Sequence, residues 1–521
     1  MQKLITIILL FVGSHCMATN YYISNAGSNA ANGLTPATAW QTMAKVTATM
    51  ATMANGDSIL FKRGDTFEGS ITFGRTGIKV GAYGSGANPL ITSLQELGGW
   101  TSYGSGIYYA TVTTSLSQLE MVTLNGTPVA VGRYPNDDAA NGGWLTYEGF
   151  TGTTAITDNE MTGATNWTGA DVVIRKKQWI SQIGKITNHS TTTFTYSRYN
   201  YFTNGNYNDG ATVAGQAGWG YFIQNDIRTL DKKGEWYFDS TTNRLYMYFG
   251  TIGADVVKVA TEYNLFNIGS RANTSISNID FDGANHSAVY ATLTTGITVT
   301  GCNITNVGGY GIQYFQTGSS SVSDCNVRWA HQGGISLYSG TSYSNLSVTG
   351  CNVAQIGRYY GHCNIVDGTG MQGVYVSCLS GVTIADCKAD TIGLAGVKFA
   401  GSNALIEHNE VNYFNDVLDD QGGIYTFQDG TDASPGTVSL NTIIRNNWVK
   451  NGIGNKLGRT GTRLQSSGIY LDGRKKSTLI QNNLIENCSN NGVHCNNPGN
   501  VTVTGNTIIN CERGLSFMRW Y

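Results

Sequence analysis

The segments GIYTF, at residues 423–427, and GIYLD, at residues 468–472, are copies of one pattern: a glycine followed by alternating apolar residues. The pattern recurs from residue 311 onward as GIQYF, GISLY, GVYVS, GVKFA, GVHCN and GLSFM. Its base spacing is about 22–24 residues, and three repeats are lengthened by insertions. Self-similarity at a short period predicts a solenoid, in which each coil buries an apolar face on its neighbours.

A second β-type element keeps the same period, and its third residue is always cysteine or asparagine. The column consists of Cys302, Cys325, Cys351, Cys387, Asn409, Asn447, Asn483 and Asn506. Alternate side chains of a strand point inward, so residues such as Ile424 and Ile469 are predicted to be core. We interpret the column as an internal ladder of amides and buried thiols, because a metal site would need ligands at short, converging spacings.

The composition agrees with a glycine-rich all-β protein. The 521 residues include 67 Gly and only 6 Pro, and 13% of them are charged. Collagen is excluded because its glycine period requires abundant proline. A net charge of −2 leaves no broad basic surface, so nucleic acid is not an expected partner.

The N-terminus predicts export. An apolar run from Leu4 to Val12 follows one lysine and ends in small residues at Ala18, as in a Sec signal peptide cleaved near Ala18. The mature protein is therefore expected to be secreted or periplasmic. Lipid anchoring through Cys16 is not expected, because the residues before it fit a lipid-acceptor sequence poorly. No later segment is long and apolar enough to span a membrane.

The repeat resembles the right-handed parallel β-helix of pectate-lyase-like carbohydrate-active proteins. Residues 21–46 and 56–73 resemble the helical cap and first coils of bacterial members, and EWYFDSTTNRLYMYF at residues 235–249 resembles a strand pair of the fucosidase/xylanase-type glycoside hydrolases. The resemblance implies an all-β fold, a right-handed parallel β-helix of about 22–24 residues per coil, and an enzyme that degrades polysaccharide or oligosaccharide.

Four regions are expected along the chain. A signal peptide at 1–18 precedes the cap and first coils at 19–130, an inserted aromatic-rich β subdomain at 131–260, and the repeats at 261–521. We expect a monomer. The chain stops inside a predicted core strand at Tyr521, so we also expect either a truncated chain or a last coil covered by something outside this sequence.

The strand register places chemically capable side chains in one outward column. The column is Gln313, Ser336, Tyr375, Lys398, Tyr425, Tyr470, His494 and Ser516. Inserted loops at 357–370, 415–421 and 452–467 precede strands of this column and should leave the β-helix at one edge. They contain His362, Asp367, Arg459 and Arg463. The residues predicted to bind substrate are Lys398, Tyr425, Tyr470, His494, His362 and Arg463.

Glycoside hydrolysis needs two carboxyl groups, one of them protonated. Asp472 follows Tyr470 by two residues, and Asp419 and Asp420 lead into the preceding coil's strand. The strings DDQGGIYTF and GIYLDG resemble the segments that carry the paired catalytic aspartates of the fucosidase/xylanase-type relatives. The resemblance implies that Asp472 acts with Asp420 or Asp419. The sequence leaves open which is the acid and whether configuration is retained or inverted.

Two alternatives remain. In a polysaccharide lyase, a base such as Lys398 would remove the proton α to a uronate carboxylate, and Ca²⁺ held by Asp429 and Asp432 could neutralise that carboxylate. A noncatalytic glycan-binding protein would keep the solenoid without a working acid pair. For a hydrolase, neither a metal nor another cofactor is expected.

Overall fold

The computed structural model describes residues 18–163, 165–198, 213–363, 370–428, 440–473 and 475–519. Residues 1–17, Asp367, Asp429, Asp432 and Tyr521 lie outside the described residues, and with them most of the predicted signal peptide and both suggested Ca²⁺ ligands. The described chain is almost entirely β and forms a right-handed parallel β-helix with an antiparallel insertion.

Each coil contributes one strand to each of three parallel sheets. The first sheet contains Asn20–Ile23, Ser58–Lys62, Lys79–Tyr83, Ser275–Ser277, Thr298–Thr300, Ser320–Ser323, Leu346–Thr349, Val382–Ala385, Leu405–Glu407, Thr442–Arg445, Thr478–Gln481 and Val501–Thr504. The second contains Thr66–Glu68, Leu90–Thr92, Asp280–Ala284, Asn303–Val307, Asn326–Ala330, Asn352–Ile356, Lys388–Ile392, Glu410–Phe414, Trp448–Gly452, Leu484–Glu486 and Thr507–Ile509. The third, here called the site sheet, contains Ile71–Thr72, Asn264–Gly269, Ser287–Thr295, Tyr310–Gly318, Gly333–Tyr338, Gln372–Ser380, Val397–Ser402, Gly422–Gln428, Ser467–Gly473, Asn491–Asn496 and Arg513–Met518.

The corner between the first and second sheets requires a left-handed backbone conformation in every repeat. Asn278 has φ 55°, Gly301 has φ 64° and Gly350 has φ 63° at this corner. Glycine adopts this conformation without steric cost, and asparagine and aspartate tolerate it better than other residues. The Gly- and Asn-rich composition is thus explained by the corners.

The interior follows the predicted alternation. Ile424, Ile469 and Leu471 are fully buried in one continuous core. The asparagine ladder is confirmed: Asn409 Nδ2 donates to Asn447 Oδ1 at 3.0 Å, and Asn447 Nδ2 donates to the next asparagine of the column at 2.9 Å. The cysteines of the column are buried and free, as expected for small apolar residues.

A short α-helix, Met43–Met50, covers the N-terminal end of the core. The Thr42 side chain accepts a hydrogen bond from the backbone N–H of Lys45 at 3.2 Å and caps the helix. Met43, Val46 and Met50 face the core of the first coils. The other helical segments are Pro36–Thr38, Ala140–Gly143, Asn159–Met161 and Ile227–Thr229. No helix of the described residues is long and apolar enough to cross a membrane.

The insertion consists of three antiparallel sheets. They comprise Leu94–Leu97, Val122–Leu124, Thr127–Pro128 and Val257–Ala260; Thr101–Gly104, Ile107–Thr111, Trp236–Asp239 and Arg244–Tyr248; and Arg133–Tyr134, Leu145–Tyr147, Gly149–Thr151, Ala155–Thr157, Asp171–Lys177, Ile180–Ser190, Thr193–Arg198 and Trp219–Gln224. Antiparallel pairing begins at Leu94, opposite Ala260, earlier than the expected boundary at residue 131. The direction of pairing depends on partners distant in the chain, so periodicity alone does not mark this boundary.

Most of the insertion's aromatic residues that lie within the described ranges fill its own cores, as expected. Tyr147, Trp167, Trp219 and Tyr221 are buried in one cluster, and Trp236 is buried in another. These rings are packing residues.

Candidate active site

The site sheet brings the predicted outward column together. Each member of the column pairs with the next one on the adjacent strand. The order is Gln313, Ser336, Tyr375, Lys398, Tyr425, Tyr470, His494 and Ser516. Adjacent strands are about 4.8 Å apart, so the four members from Lys398 to His494 span about 15 Å. The predicted register of this column is confirmed.

Asp420 lies at the turn into strand Gly422–Gln428. Its backbone has φ 65°, a left-handed conformation that aspartate tolerates, and its N–H donates to Gln465 O at 3.1 Å. This turn directs Asp419 and Asp420 into different environments. Asp419 is fully buried, whereas Asp420 is partly exposed.

The Asp420 carboxyl holds its proton more tightly than an ordinary aspartate. Burial and the negative charges of Asp419 and Asp472 together raise its pKa to about 8, and the Arg459 cation opposes the rise. A carboxyl that keeps its proton near neutral pH can serve as a general acid. Asp420 therefore combines partial exposure with an available proton.

Asp419 faces groups of the protein interior. Its carboxylate accepts a hydrogen bond from Arg459 Nη2 at 2.8 Å and from the Gln465 backbone N–H at 3.0 and 3.1 Å. Burial raises its pKa, while these donors and the Arg459 charge oppose the rise. These hydrogen bonds fix the position of Asp419, the residue directly before Asp420.

Asp472 lies on the adjacent strand, two residues after Tyr470. Tyr425 Oη donates to Asp472 Oδ2 at 2.9 Å, and Asn496 Nδ2 donates to Asp472 Oδ1 at 3.1 Å. Both oxygens are thus acceptors in a hydrogen-bonded arrangement that suits a carboxylate. Asn496 also donates to Tyr470 Oη at 2.7 Å, and this bond joins strand Asn491–Asn496 to strand Ser467–Gly473.

The remaining column members pack beside the pair. The rings of Tyr425 and Tyr470 have centroids 5.3 Å apart, and the His494 ring is 4.5 Å from Tyr470. Burial lowers the pKa of His494, which makes the ring neutral at neutral pH. Lys398 Nζ is 5.1 Å from the Tyr375 ring centroid and 5.7 Å from that of Tyr425.

Arg463 lies at the margin of this group. It donates to Asn490 Oδ1 at 2.9 Å and is ion-paired with Glu512 at 3.2 Å. Its positive charge acts on His494, so it lies within electrostatic range of the site.

His362 occupies a different position from the expected one. It is 1% exposed and accepts a hydrogen bond from the Val131 backbone N–H at 3.3 Å. Its ring packs against His331 and Trp236, and none of its described contacts is with Asp420 or Asp472. The loop that carries it turns toward the insertion, because the insertion supplies an apolar surface there.

Asn496 and Gln465 are the site residues that sequence reasoning missed. Asn496 follows His494 by two residues, as Asp472 follows Tyr470, so the column register contained a signal for it. Gln465 acts through its backbone, and a backbone contact leaves no signature in residue type.

The candidate site contains no described cluster of metal ligands. In the described ranges, one trio of carboxylates, Glu148, Asp158 and Glu160, has oxygens within 4.8 Å of one another. It lies in the insertion, and Asp158 already accepts hydrogen bonds from Tyr221 Oη at 2.6 Å and from the Glu160 N–H at 2.8 Å.

Comparison with solved structures finds similar folds at low sequence identity. A protein described as a glycoside hydrolase superposes with a TM-score of 0.56 at 12% identity, over 96% of both chains. A lacto-N-biosidase from Eubacterium ramulus gives a TM-score of 0.43 at 12% identity, over 94% of this chain and 67% of the other. An alginate lyase from a Paenibacillus species gives 0.36 at 10% identity, over 91% and 97%.

A search of curated proteins finds no significant match. The family model for the right-handed β-helix region matches residues 257–364 and 362–520, which together make up slightly more than half of the chain. These are the residues whose strands form the continuous stack of coils. The chain therefore belongs to the right-handed β-helix family.

Proposed function

We propose that the protein is an exported glycoside hydrolase that acts on a polysaccharide or oligosaccharide. The observation that carries the proposal is the carboxyl pair on adjacent coils: Asp420, whose pKa is raised to about 8, and Asp472, which accepts hydrogen bonds from Tyr425 and Asn496. The shared fold of the glycoside hydrolase with a TM-score of 0.56 agrees with a carbohydrate-active β-helix enzyme. The enzyme acts as a monomer and without a cofactor in this proposal.

In the proposed reaction, Asp420 donates its proton to the glycosidic oxygen while the bond from that oxygen to the anomeric carbon breaks. Asp472 either removes a proton from the attacking water or attacks the anomeric carbon itself, forming an ester that water then hydrolyses. Tyr470 and His494 provide polar atoms for sugar hydroxyl groups beside the pair. Lys398 and Arg463 extend this binding surface.

Substitution of each aspartate by asparagine tests the proposal. Asparagine accepts the left-handed backbone at residue 420, so Asp420→Asn removes the proton donor without changing the turn. We expect Asp420→Asn and Asp472→Asn each to lower kcat/KM by about 10²–10⁴-fold, measured as reducing ends released from a panel of plant and algal glycans. Asp386→Asn is the control, since Asp386 is an exposed corner residue on the same β-helix.

The pH profile provides a further readout. Because Asp420 must be protonated, kcat/KM should fall as the pH rises through about 8. An Asp420→Asn variant that retained wild-type activity and this alkaline limb would exclude Asp420 as the acid.

Elimination is the second candidate, favoured by the position of Lys398 beside Tyr425 at the centre of the column. Hydrolysis in H₂¹⁸O incorporates one labelled oxygen into the product, whereas elimination yields an unsaturated uronate without label. Treatment with EDTA should leave hydrolysis unchanged, because the proposed steps use only carboxyl groups. Unlabelled unsaturated product would identify a lyase, and glycan binding without cleavage would identify a binding protein.

A further inference from the structure

The insertion contacts the segment that carries the candidate acid. Loop 452–467 of the β-helix carries Arg459, and the hairpin formed by Asp171–Lys177 and Ile180–Ser190 packs against both this loop and Asp419. Gln178, in the turn of that hairpin, accepts a hydrogen bond from the Asp419 backbone N–H at 3.0 Å. The segment that carries both aspartates is therefore bonded to the insertion.

Arg175 is the centre of this contact. It is fully buried, and its guanidinium donates to three backbone carbonyls: Leu457 O, Asn455 O at 3.0 Å and Gln178 O at 3.0 Å. Two of these carbonyls belong to the β-helix loop and one to the turn that holds Asp419. A single planar cation thus fixes the spacing between the loop and the turn.

The backbones of the two parts also touch. Gly220 N–H donates to Gly458 O at 2.8 Å, and a Cβ on Gly220 would lie 2.5 Å from the Gly458 Cα. A Cβ on Gly458 would lie 2.6 Å from the Trp144 ring. Only glycine allows this approach, so the next residue, Arg459, is held at a defined distance from the insertion.

Arg459 transmits this placement to the acid. Its Nη2 donates to Asp419 Oδ2 at 2.8 Å, and its side chain is 4% exposed. The charged groups that act on Asp420 are Asp419, Asp472 and Arg459, and the nearby phenols are those of Tyr425 and Tyr470. Two of the three charges lie next to contacts with the insertion: Asp419 through Gln178, and Arg459 through the neighbouring Gly458.

We propose that the insertion is part of the catalytic apparatus, in which Arg175 and the Gln178 backbone position Asp419 and Arg459 around Asp420. This inference rests on the proposed role of Asp420 as the acid. Arg175 and Arg459 are positioning residues, since neither is placed against substrate.

Lys176 offers a matched control on the same strand. It is also fully buried, but its Nζ donates to Thr153 O and Val213 O, both at 3.0 Å and both within the insertion. Arg175→Met and Lys176→Met each remove one buried cation from neighbouring positions. Only the Arg175 variant loses contacts to the β-helix loop.

Steady-state kinetics of the full-length variants across pH test the proposal. We expect Arg175→Met and Arg459→Met to lower kcat at least about tenfold with KM within about twofold, because a misplaced acid slows proton transfer without removing a contact to the bound substrate. Loss of the Arg459 cation should move the alkaline limb about one pH unit higher, and Arg175→Met should move it in the same direction. Arg459→Lys should bring the alkaline limb part of the way back to its wild-type pH. Lys176→Met should leave the pH of the limb unchanged.

Equal losses in the Arg175 and Lys176 variants with an unmoved limb would overturn the proposal, because they would indicate general damage to the insertion. If Arg175→Met does not fold, Arg459→Met and Arg459→Lys test the proposal by the same two measurements, kcat and the pH of the alkaline limb. Infrared titration measures the pKa of Asp420 without any substrate. The absorption band of its protonated carboxyl is assigned by its loss in Asp420→Asn. An unshifted band in Arg459→Met overturns this inference, whereas a shifted band in an enzyme that cleaves no glycan separates it from the proposed function.

Discussion

Asp420 and Lys475 show two outcomes of burying an ionisable side chain. Asp420 is partly exposed, so its raised pKa makes a proton available to a ligand. Lys475 is fully buried, its Nζ has no hydrogen-bond partner among the described residues, and the Phe399 ring lies 5.2 Å away. Burial lowers the pKa of Lys475 to about 7. Its location in the core gives it a cost in stability without a role in the proposed reaction.

Lys475→Met should stabilise the protein. The folded-state pKa of Lys475, about 7, lies below its ordinary value of 10.5, so the unfolded state binds more protons between these pH values. The penalty is full below pH 7 and disappears above pH 10.5, which predicts a gain on the order of 4 kcal/mol at pH 7 that shrinks as the pH rises.

Urea denaturation at pH 7 and pH 9 measures this gain. Lys476→Met is the control, because Lys476 is the exposed neighbour and should change stability little. Equal effects of the two variants would show that Lys475 carries no burial penalty.

At the scale of the element, the asparagine ladder replaces apolar packing with hydrogen bonds between coils. Asn447 is 2% exposed; its side chain donates to Ile406 O and Asn483 Oδ1 and accepts from the backbone and side-chain N–H groups of Asn409. Each rung satisfies polar groups of the rung below it, so loss of one side chain leaves buried donors without acceptors.

Asn447→Ala is therefore expected to lower the free energy of unfolding by about 3 kcal/mol. Asn326→Ala is the matched control: Asn326 belongs to an exposed ladder and also bonds the asparagines above and below it, at 2.7 and 2.8 Å. Because water can replace those bonds, its loss should cost about 0.5 kcal/mol or less. Comparable losses in the two variants, measured by chemical denaturation, would contradict the role of burial.

The repeat explains why much of the β-helix could be predicted. A fixed period aligns equivalent residues in space, so the outward column through Tyr425 and Tyr470 and the ladder through Asn447 followed from the spacing alone. The ambiguity between Asp419 and Asp420 could not be resolved in the same way. It depends on the left-handed turn at Asp420 and on a hydrogen bond from Asp419 to Gln178, whose position is remote in sequence.

The insertion was the less predictable part for a related reason. Antiparallel pairing such as that of Leu94 with Ala260 depends on partners distant in the chain. The displacement of His362 toward Trp236 has the same origin, since only the folded insertion supplies that surface. Contacts between two modules are not encoded in the period of either one.

At the scale of the whole molecule, buried histidines should make the protein sensitive to acid. The His286 ring packs against Tyr263 and the His331 ring against Tyr359 and His362, and burial lowers the pKa values of the two histidines to about 3 and about 4. Their ordinary pKa is 6.5, so below that value the unfolded state binds more protons than the folded state.

The contribution of these histidines to stability should therefore fall as the pH decreases from 6.5 to about 4, with His331 alone accounting for about 3 kcal/mol, whereas the raised pKa of Asp420 contributes in the opposite direction. Thermal or urea unfolding at pH 7, 5.5 and 4.5 measures the slope, and His331→Gln should flatten it. His408→Gln should not, because His408 is exposed. A wild-type slope in His331→Gln would place the acid sensitivity elsewhere.

The paired ends of the insertion also bear on how the chain is assembled during synthesis. Strand Leu90–Thr92 forms its parallel bonds with Asp280–Ala284, on the far side of the insertion in sequence. The first coils emerge from the ribosome long before the strand on which they stack, so their exposed edge must wait for the whole insertion. Closing so distant a contact is slow, because chain entropy is lost before the contact forms. The sequence between Ser93 and Thr261 thus sets the order in which the two parts of the β-helix can unite.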